Sequence, residues 1–463
     1  MSSFSTLNTA LTALQYNRAA MDVASGNVAN ASTEGYTRRT VDASTIDVTA
    51  RVALWSRQST SGQGVKVDGV TRLSDELINA RVRREHGTQS GLDVQQASLE
   101  RVEDGIGEPG SSGLAAMMTD FRTSWSTLEN SPTSSAARAG VLTKAASVVS
   151  AVKNQVSNIN SEAGDQRSRT LTDVNQVNTL ATNLASLNRS ISAASAGGTD
   201  TSALLDSRDQ VLQQLSSLTG AVASIKSDGS ADVSINGTAL VSGTTAGTFG
   251  VASGITSNGD ADGSLVTFSI TSSSGTATSV GSIGGELGGV ATLLNTTFPS
   301  YLSSLSAVVT GLADQVNSLH ESGYDADGNA GGAFFSYSSS DPLGTFAVAI
   351  TDPQKVAASS TAGGGTDTGI ADQLSKAGAA ESSYQRLVST FGTQVADIKT
   401  QASNQQIVTT QVDNAKEQLG GVSLDEEMVN MVTAQHAYEA ASRVMTTVDE
   451  MLDTLINRTG VTR

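Results

Sequence analysis

Two helix-length stretches at opposite ends of the chain carry apolar stripes with no partner nearby in sequence. Over residues 424–455, Leu424, Met431, Tyr438, Met445 and Leu452 recur every seven residues, with Ala434, Ala441, Val448 and Leu455 three positions later and Ala437, Val444 and Met451 one position earlier. That period places one broad apolar face on a long helix. Asp425, Glu426, Glu439, Arg443, Glu450 and Asp453 take the opposite face, and Ser423 with Glu426 is spaced as a capping box. In the first thirty residues, Phe4, Leu7, Leu11, Leu14, Met21 and Val28 fall at alternating three and four spacing, interrupted by Arg18 and Ser25. A single helix is marginal in water without a packed face. Pairing of the two termini as a coiled coil would bury both stripes; two separate core helices of one globule would bury them equally well, and periodicity alone does not choose.

Between the ends the pattern changes several times. Residues 36–72 read as a β-hairpin connector, with Val41, Ile46 and Val48 followed by Val65, Val67 and Val70 and punctuated by Gly62, Gly64 and Gly69. Helical period covers residues 73–103 and 114–128, then two longer helices over 138–159 and 171–191, then a helix through Leu204, Leu212 and Leu218. The 171–191 seam is studded with Asn175, Asn178, Asn183 and Asn188, most of which this reading leaves solvated. Residues 221–283 are rich in Gly, Ser and Thr with Asp228-Gly229, Asn236-Gly237 and Asp262-Gly263 turns, the pattern of a small antiparallel β insert. Helical period resumes in one long seam from Leu287 to Leu319, gives way to a strand-like stretch near 335–358, and closes with a helix over 384–419.

The expected fold is therefore mainly α with β insertions: terminal helices of residues 1–35 and 423–463 paired as a coiled coil, an antiparallel helical rod of 73–220 and 284–420, and the β insert farthest from both ends. The 463 residues carry a net charge of −17, which argues against a phosphate-rich partner such as nucleic acid. Aromatic residues are 4% of the chain, too few for a thick globular core and suited to long helices with thin seams. No cysteine is present, so neither disulfides nor thiolate chemistry enter. No apolar run is long enough to span a membrane, and the polar N-terminus does not support a cleaved secretory signal.

Candidate chemistry is sparse. Gly105, Gly107 and Gly110 match a dinucleotide fingerprint in spacing, but a helical pattern precedes them and Pro109 removes an amide donor, so a loop between helices is the better reading. His320-Glu321 begins like a zinc motif, yet Tyr324 stands where the second histidine belongs. Asp325, Asp327 and Asn329 open like a calcium loop, with Ala330 in place of the required glycine and Ser336 in place of the bidentate glutamate, which reads as a turn. No nucleophile elbow or P-loop occurs. No catalytic residue, cofactor or metal ligand is singled out. The candidate site is an assembly interface made of Phe4, Leu7, Leu11, Leu14, Met21, Val28, Leu424, Met431, Tyr438, Val444, Met445, Val448, Met451, Leu452 and Leu455.

The stretch SGNVANASTEGYTRR from Ser25 resembles the N-terminal motif of the axial proteins of the bacterial flagellum, and GVSLDEEMVNMVTAQHAYEAASRVMTTVDEMLDTLIN from Gly421 is similar to their C-terminal motif. Within that family the interior stretches GEPGSSGLAAMMTDFRTSWSTLENSP, LLDSRDQVLQQLSSL and GGELGGV resemble the members that sit at the hook–filament junction. The resemblance implies a non-enzymatic structural protein, exported uncleaved by the flagellar type III apparatus to the outside of the cell and forming a ring of subunits held by its terminal helices. Implied partners are copies of itself, the hook protein, a neighbouring hook-associated protein and an export chaperone on the C-terminal helix, with neither nucleic acid nor membrane. Many members carry a larger outer domain in the region near 335–358, where this chain has only a short stretch including Phe346, Val348 and Ile350; functions of that domain are not carried over. A hook or distal-rod protein of the same family is the nearest alternative, and a secreted adhesin or hydrolase built on the β insert is the alternative from another class.

Overall fold

The computed structural model describes residues 3–46, 64–363 and 365–454, so Leu455 and the side chain of Phe4, both assigned to apolar seams, lie outside the described residues, as does Val48. In chain order, helix α1 (Ser3–Ala29) leads into the antiparallel pair β1 (Arg39–Thr45) and β2 (Val65–Arg72), which carries a bulge at Asp42/Ala43. Helices α2 (Glu76–Ile106), α3 (Leu114–Asn130), α4 (Ser135–Ala196) and α5 (Ser202–Thr219) follow. The β insert holds β3 (Val222–Ile225), β4 (Ala231–Ile235), β5 (Thr238–Ser242) and β6 (Thr245–Ala246) in one antiparallel sheet and β7 (Thr248–Ser253), β8 (Thr267–Thr271) and β9 (Ala277–Val280) in a second. The chain returns through α6 (Gly285–Thr292), α7 (Phe298–Glu321), β10 (Phe335–Ser336), α8 (Pro342–Thr345), β11 (Ala347–Val348), α9 (Gly369–Ser375), α10 (Ala379–Gly420) and α11 (Leu424–Asp453).

Helix α4 is the spine. Its 62 residues make a rod about 93 Å long at 1.5 Å per residue, in place of the two helices expected over 138–159 and 171–191. The apolar period lapses across residues 160–170, which is why the sequence reads as a break. There the helix buries polar groups and bonds them: Glu162 accepts from Ser98 Oγ at 2.5 Å, Arg101 Nε at 2.9 Å and Gln166 Nε2 at 2.8 Å. Gly164 at this point costs on the order of 1 kcal/mol, too little to end so long a helix. The N-terminal half of α4 lies in a core with Phe121, Trp125, Leu305, Leu312, Phe334, Phe346 and Tyr384, and the C-terminal half in a second core with Leu215, Val233, Phe249, Phe268 and Leu287. Phe334, Phe335 and Phe346, from the short stretch between α7 and α9, thus belong to the rod rather than to an outer domain.

Asparagines fasten the insert to the rod by standing in for a strand backbone. Asn178 donates to Phe249 O and accepts from Phe249 N, each at 2.8 Å. Asn188, fully buried, donates to Ala231 O at 2.7 Å and Gly243 O at 2.6 Å and accepts from Ala231 N at 2.9 Å. Asn175 and Asn183 are solvated. A third latch comes from a π-helical turn at Leu293–Thr297, which divides the seam expected from Leu287 to Leu319 into α6 and α7. The extra residue turns Asn295 outward, where it exchanges two hydrogen bonds with the Val266 backbone at 2.7 and 2.9 Å.

Glycines set how closely the rod helices approach. A Cβ on Gly87 would meet Ser216 O of α5 at 2.8 Å, and one on Gly91 would meet Gly285 O of α6 at 2.8 Å. The two glycines are four residues apart on one face of α2, so α5 and α6 seat directly on its backbone. This is the physical content of the GGELGGV stretch.

Asn188→Ala removes the side-chain partner of three backbone groups, two of them buried, and is expected to destabilise the insert by about 2–4 kcal/mol, read by urea unfolding and amide exchange in β4. Asn183→Ala, on the solvated side, is expected to stay within about 0.5 kcal/mol of wild type. His320 is fully buried, its Nδ1 donating to Gly332 O and its Nε2 accepting from Ala357 N, each at 2.7 Å. Burial holds the imidazole below its ordinary value, and Arg138 acts in the same direction. Since the folded value lies below the unfolded one, the stability contributed by neutral His320 is complete above about pH 6.5 and is lost as the pH falls from there through the folded value. The melting temperature should drop between pH 7.5 and pH 5, and His320→Asn should shrink that drop.

Candidate assembly interface

Helices α1 and α11 make the most extensive helix–helix contact among the described residues. Asn27, near the end of α1, is bonded to Glu427, near the start of α11, at 2.9 Å, so two helices in contact along their lengths run antiparallel. On α11 the buried or half-buried positions between residues 427 and 452 are Glu427, Met431, Ala434, Ala437, Ala441, Met445, Val448 and Leu452, at spacings of three and four, with Tyr438 at the exposed margin.

On α1 the buried positions are Ala10, Ala24 and Asn27, with Ala13, Asn17 and Ala20 half-buried between them. Leu7, Leu14, Met21 and Val28 are half-buried along the margins and Leu11 is 45% exposed. The α1 seam is therefore alanine and asparagine, one step away from the line of large apolar residues. Small side chains let the helix axes come close, and the larger residues then flank the contact.

The rest of the apolar surface of α11 is uncovered. Met428 and Val432 are 59% and 49% exposed and, at 100° per residue, lie on one side of the seam; Val444 and Met451, 45% and 59% exposed, lie on the other, and Leu424, 51% exposed, stands at the open end of the seam line itself. The expected interface residues thus divide. Met431, Met445, Val448 and Leu452 pack inside the chain, whereas Leu424, Val444 and Met451 face outward, joined by Met428, Val429 and Val432, which were not expected.

The helix pair is tied to the rod by the segment after α1. Asn27 is fully buried; its Nδ2 donates to Arg39 O and to Glu427 Oε2, both at 2.9 Å, and its Oδ1 accepts from Tyr36 Oη at 2.8 Å and Arg39 N at 3.0 Å. Arg38 Nε donates to Glu427 Oε1 at 2.8 Å while its Nη1 reaches Glu426 at 2.9 Å. Arg38 N bonds Gly420 O at 2.8 Å, and Arg38 O accepts from Leu73 N at 2.9 Å, so one residue holds the ends of α10 and β2 together. Arg39 lies over the Tyr36 ring, 5.0 Å from its centroid, and pairs with Asp206 of α5 at 3.2 Å; Arg72 pairs with Asp206 and Asp209 at 2.8 and 2.7 Å. Burial raises the Tyr36 phenol above its ordinary value, so it stays a hydrogen-bond donor. Apolar periodicity alone does not expose this polar cluster. Glu427 carried the missing signal: a carboxylate in line with the apolar positions of a helix calls for a buried partner.

The motifs with a chemical look are occupied by the chain itself. Glu108, within the glycine-spaced loop, accepts from Ala115 N at 2.8 Å at the N-terminus of α3, the place a phosphate would take. Asp325 accepts from the backbone of Asp327 and Asn329, both at 2.9 Å, and the Lys355 ammonium sits 3.2 Å from it where a cation would go. His86, bonded to Asp413 at 2.9 Å across the α2–α10 contact, and buried His320 both serve packing. Among the described residues no three metal-ligating side chains converge.

Removing one side of the Asn27–Arg38–Glu427 cluster should release the helix pair without unfolding the rod. Glu427→Ala is expected to cost the α1–α11 pair about 3 kcal/mol, since it leaves Asn27 and Arg38 short of a partner. Amide exchange should rise across α1 and α11 while α4 keeps its protection.

Comparison with known proteins fits this arrangement of ends and rod. Residues 99–335 match the family model described as the flagellar hook-associated protein FlgK helical domain, residues 7–37 that of the flagella basal body rod protein, and residues 420–458 that of the basal body rod FlgEFG protein C-terminal region. Flagellar hook-associated protein 1 of Bacillus subtilis is 30% identical, with 99% of each chain covered. The protein of that name from Escherichia coli is 26% identical over 98% of this chain and 99% of its own. The solved flagellar hook junction protein FlgK from Burkholderia pseudomallei shares the fold with a TM-score of 0.50 at 23% identity, over 56% of this chain and 47% of its own. With relatives aligned end to end and its helical interior matched over more than half its length, the chain belongs to the flagellar hook-associated protein 1 family and is a structural protein of the bacterial flagellum's hook–filament junction.

Proposed function

We propose that this chain joins hook to filament as a ring of subunits, with the α1–α11 pair forming the inner wall and contacting copies of itself, the hook protein below and a neighbouring hook-associated protein above. The observation that carries this reading is the uncovered apolar surface of α11. Met428, Val432, Val444 and Met451 remain exposed on a helix whose seam is already filled by α1, and they occur on both of its sides. Two patches on opposite sides of one helix suit contacts with two neighbours.

The role is mechanical and not enzymatic: the polar clusters of the chain are used to hold elements together. The domains act as an inner layer of residues 1–35 and 423–463, a connector of 36–72, a rod of 73–220 and 284–420, and an outward insert of 221–283. The chain is exported to the cell exterior, and a chaperone covers the exposed face of α11 before assembly.

Charge placed on the outer face should separate assembly from folding. Val444→Glu and Met451→Glu together are expected to leave the melting temperature of the purified chain within about 2 °C, as surface changes do, yet abolish filament attachment in cells that make only this variant. Val448→Glu, inside the seam, should instead loosen the α1–α11 pair itself. Normal filament attachment with the doubly charged outer face would sink the proposed use of α11.

A further inference from the structure

The two flanks of the rod carry surfaces that match each other in height and chemistry. On one flank, α2, α5, α6 and β3 enclose an open groove of about 550 Å³ whose walls include Gly87, Gly91, Gly285, Gly288, Leu92 and Val222. Val222 is 66% exposed there, and the exposed Arg84 stands at the rim. The glycines there are closed by the chain's own α2–α5–α6 packing, so the open part of the groove is bounded by side chains such as Leu92, Thr88 and Val222.

On the other flank, α10 presents such a ridge. Its buried residues Ala402, Thr409 and Val412 point toward α2, so Ile407, 66% exposed, projects about 180° away from that contact. Gln411, Asn414 and Gln418 continue the same outer face. From Thr400 to Val412 the helix has no charged residue, although 16% of the chain is charged. A solvent-facing helix without charge has the composition of a contact surface.

Ridge and groove lie at one level along the rod. Helix α10 runs antiparallel to α2: Lys399 meets Glu100 at 3.7 Å, Gln405 meets Glu85 at 2.9 Å and Asp413 meets His86 at 2.9 Å. Ile407 is therefore level with the turn of α2 between Gly87 and Gly91. By the same antiparallel register the exposed Glu417 falls at the level of Arg81 and Arg84, whose guanidinium groups are 56% and 68% exposed.

We propose that the α10 ridge centred on Ile407 seats in the α2–α5–α6 groove of the next copy of this chain, with Glu417 facing Arg84 across the joint. Because the two surfaces differ and lie on opposite flanks, the contact is head-to-tail, the kind that passes from copy to copy around an axis. The inference deepens the ring proposed above and rests on it. It adds an outer lateral joint that is independent of the terminal helices.

The absence of native cysteine makes the joint directly testable. Full-length chain carrying both Ile407→Cys and Thr88→Cys, made in cells with no other copy, is expected to give a ladder of disulfide-linked oligomers in isolated hook–filament structures after mild oxidation, and each single variant none. Both positions are exposed and sit on opposite flanks, so a bond within one chain is out of reach. Normal filament attachment with no ladder overturns the joint and leaves the ring standing; absence of the unaltered chain from isolated junctions overturns the ring itself. If the double cysteine variant does not incorporate, charge reversal decides. Glu417→Arg and Arg84→Glu alone should each reduce filament attachment severalfold and together restore it, and lack of restoration overturns the joint.

Discussion

Everything at the base of this molecule depends on one buried carboxylate. Glu427 is 3% exposed and lies 400 positions from Asn27 in sequence, yet the two are bonded. A carboxylate withdrawn from water is costly unless its oxygens are bonded. Here Arg38 supplies the charge and Asn27 the second donor, and both come from the segment that leaves α1. The requirement to satisfy one anion therefore fixes where α1 ends, where α11 begins and how the connector turns between them. Arg39 and Arg72 extend the cluster to Asp206 and Asp209 on α5, so the helix pair is registered against the rod through charge-assisted bonds and not through a shared apolar core.

This also accounts for what the sequence disclosed and what it concealed. Apolar period identified α3, α5, α7, α10 and α11, and alternating residues with Asx-Gly turns identified the insert, because each of those elements buries one continuous face. It failed where burial is polar or small. Glu162 and Gln166 hide the continuity of α4, since a scan for apolar residues sees only a gap. Ala10, Ala20 and Ala24 conceal the true seam of α1, because Leu7, Leu11, Leu14 and Met21 advertise a stronger stripe one step away. Asn178 and Asn188 look like their solvated neighbours Asn175 and Asn183 until the backbone of the insert arrives to meet them. At the interface, the same stripe of α11 was legible as a whole, but its division into an inner seam and an outer surface depends on which line α1 occupies, and that is set by three-dimensional packing.

The division has an energetic logic. A seam of alanine and half-buried methionine buries little apolar area, at roughly 25 cal/mol per Å², so the α1–α11 pair is held at its base by the Glu427 cluster and only thinly along its length. A helix pair of this kind keeps its large apolar residues for surfaces beyond itself. Leu11 and Leu424, Met428, Val432, Val444 and Met451 are those residues, and they stand exposed. The rod is built the opposite way: Trp125, Phe334, Phe335, Phe346 and Tyr384 are buried almost completely, and the glycines of α2 bring α5 and α6 onto its backbone. Stiffness resides in the rod, and capacity for new contact resides at the ends and along its two flanks.

That separation bears on how load passes through such a molecule. A force applied to the terminal helices meets the rod at Arg38, Arg39 and Arg72, whose bonds run to α11 and α5 and through the connector backbone to Gly420 and Leu73. These are short, directional bonds in a partly dry setting, and they resist sliding better than an apolar contact, whose energy changes little with lateral displacement. From α5 the load reaches α2 at the close approach of Ser216 to Gly87, and from α2 it reaches α10 through His86 and Glu85. The path does not run through the β insert, which shares its apolar core with α4, α5 and α6 and is latched to α4 and the π turn by asparagines.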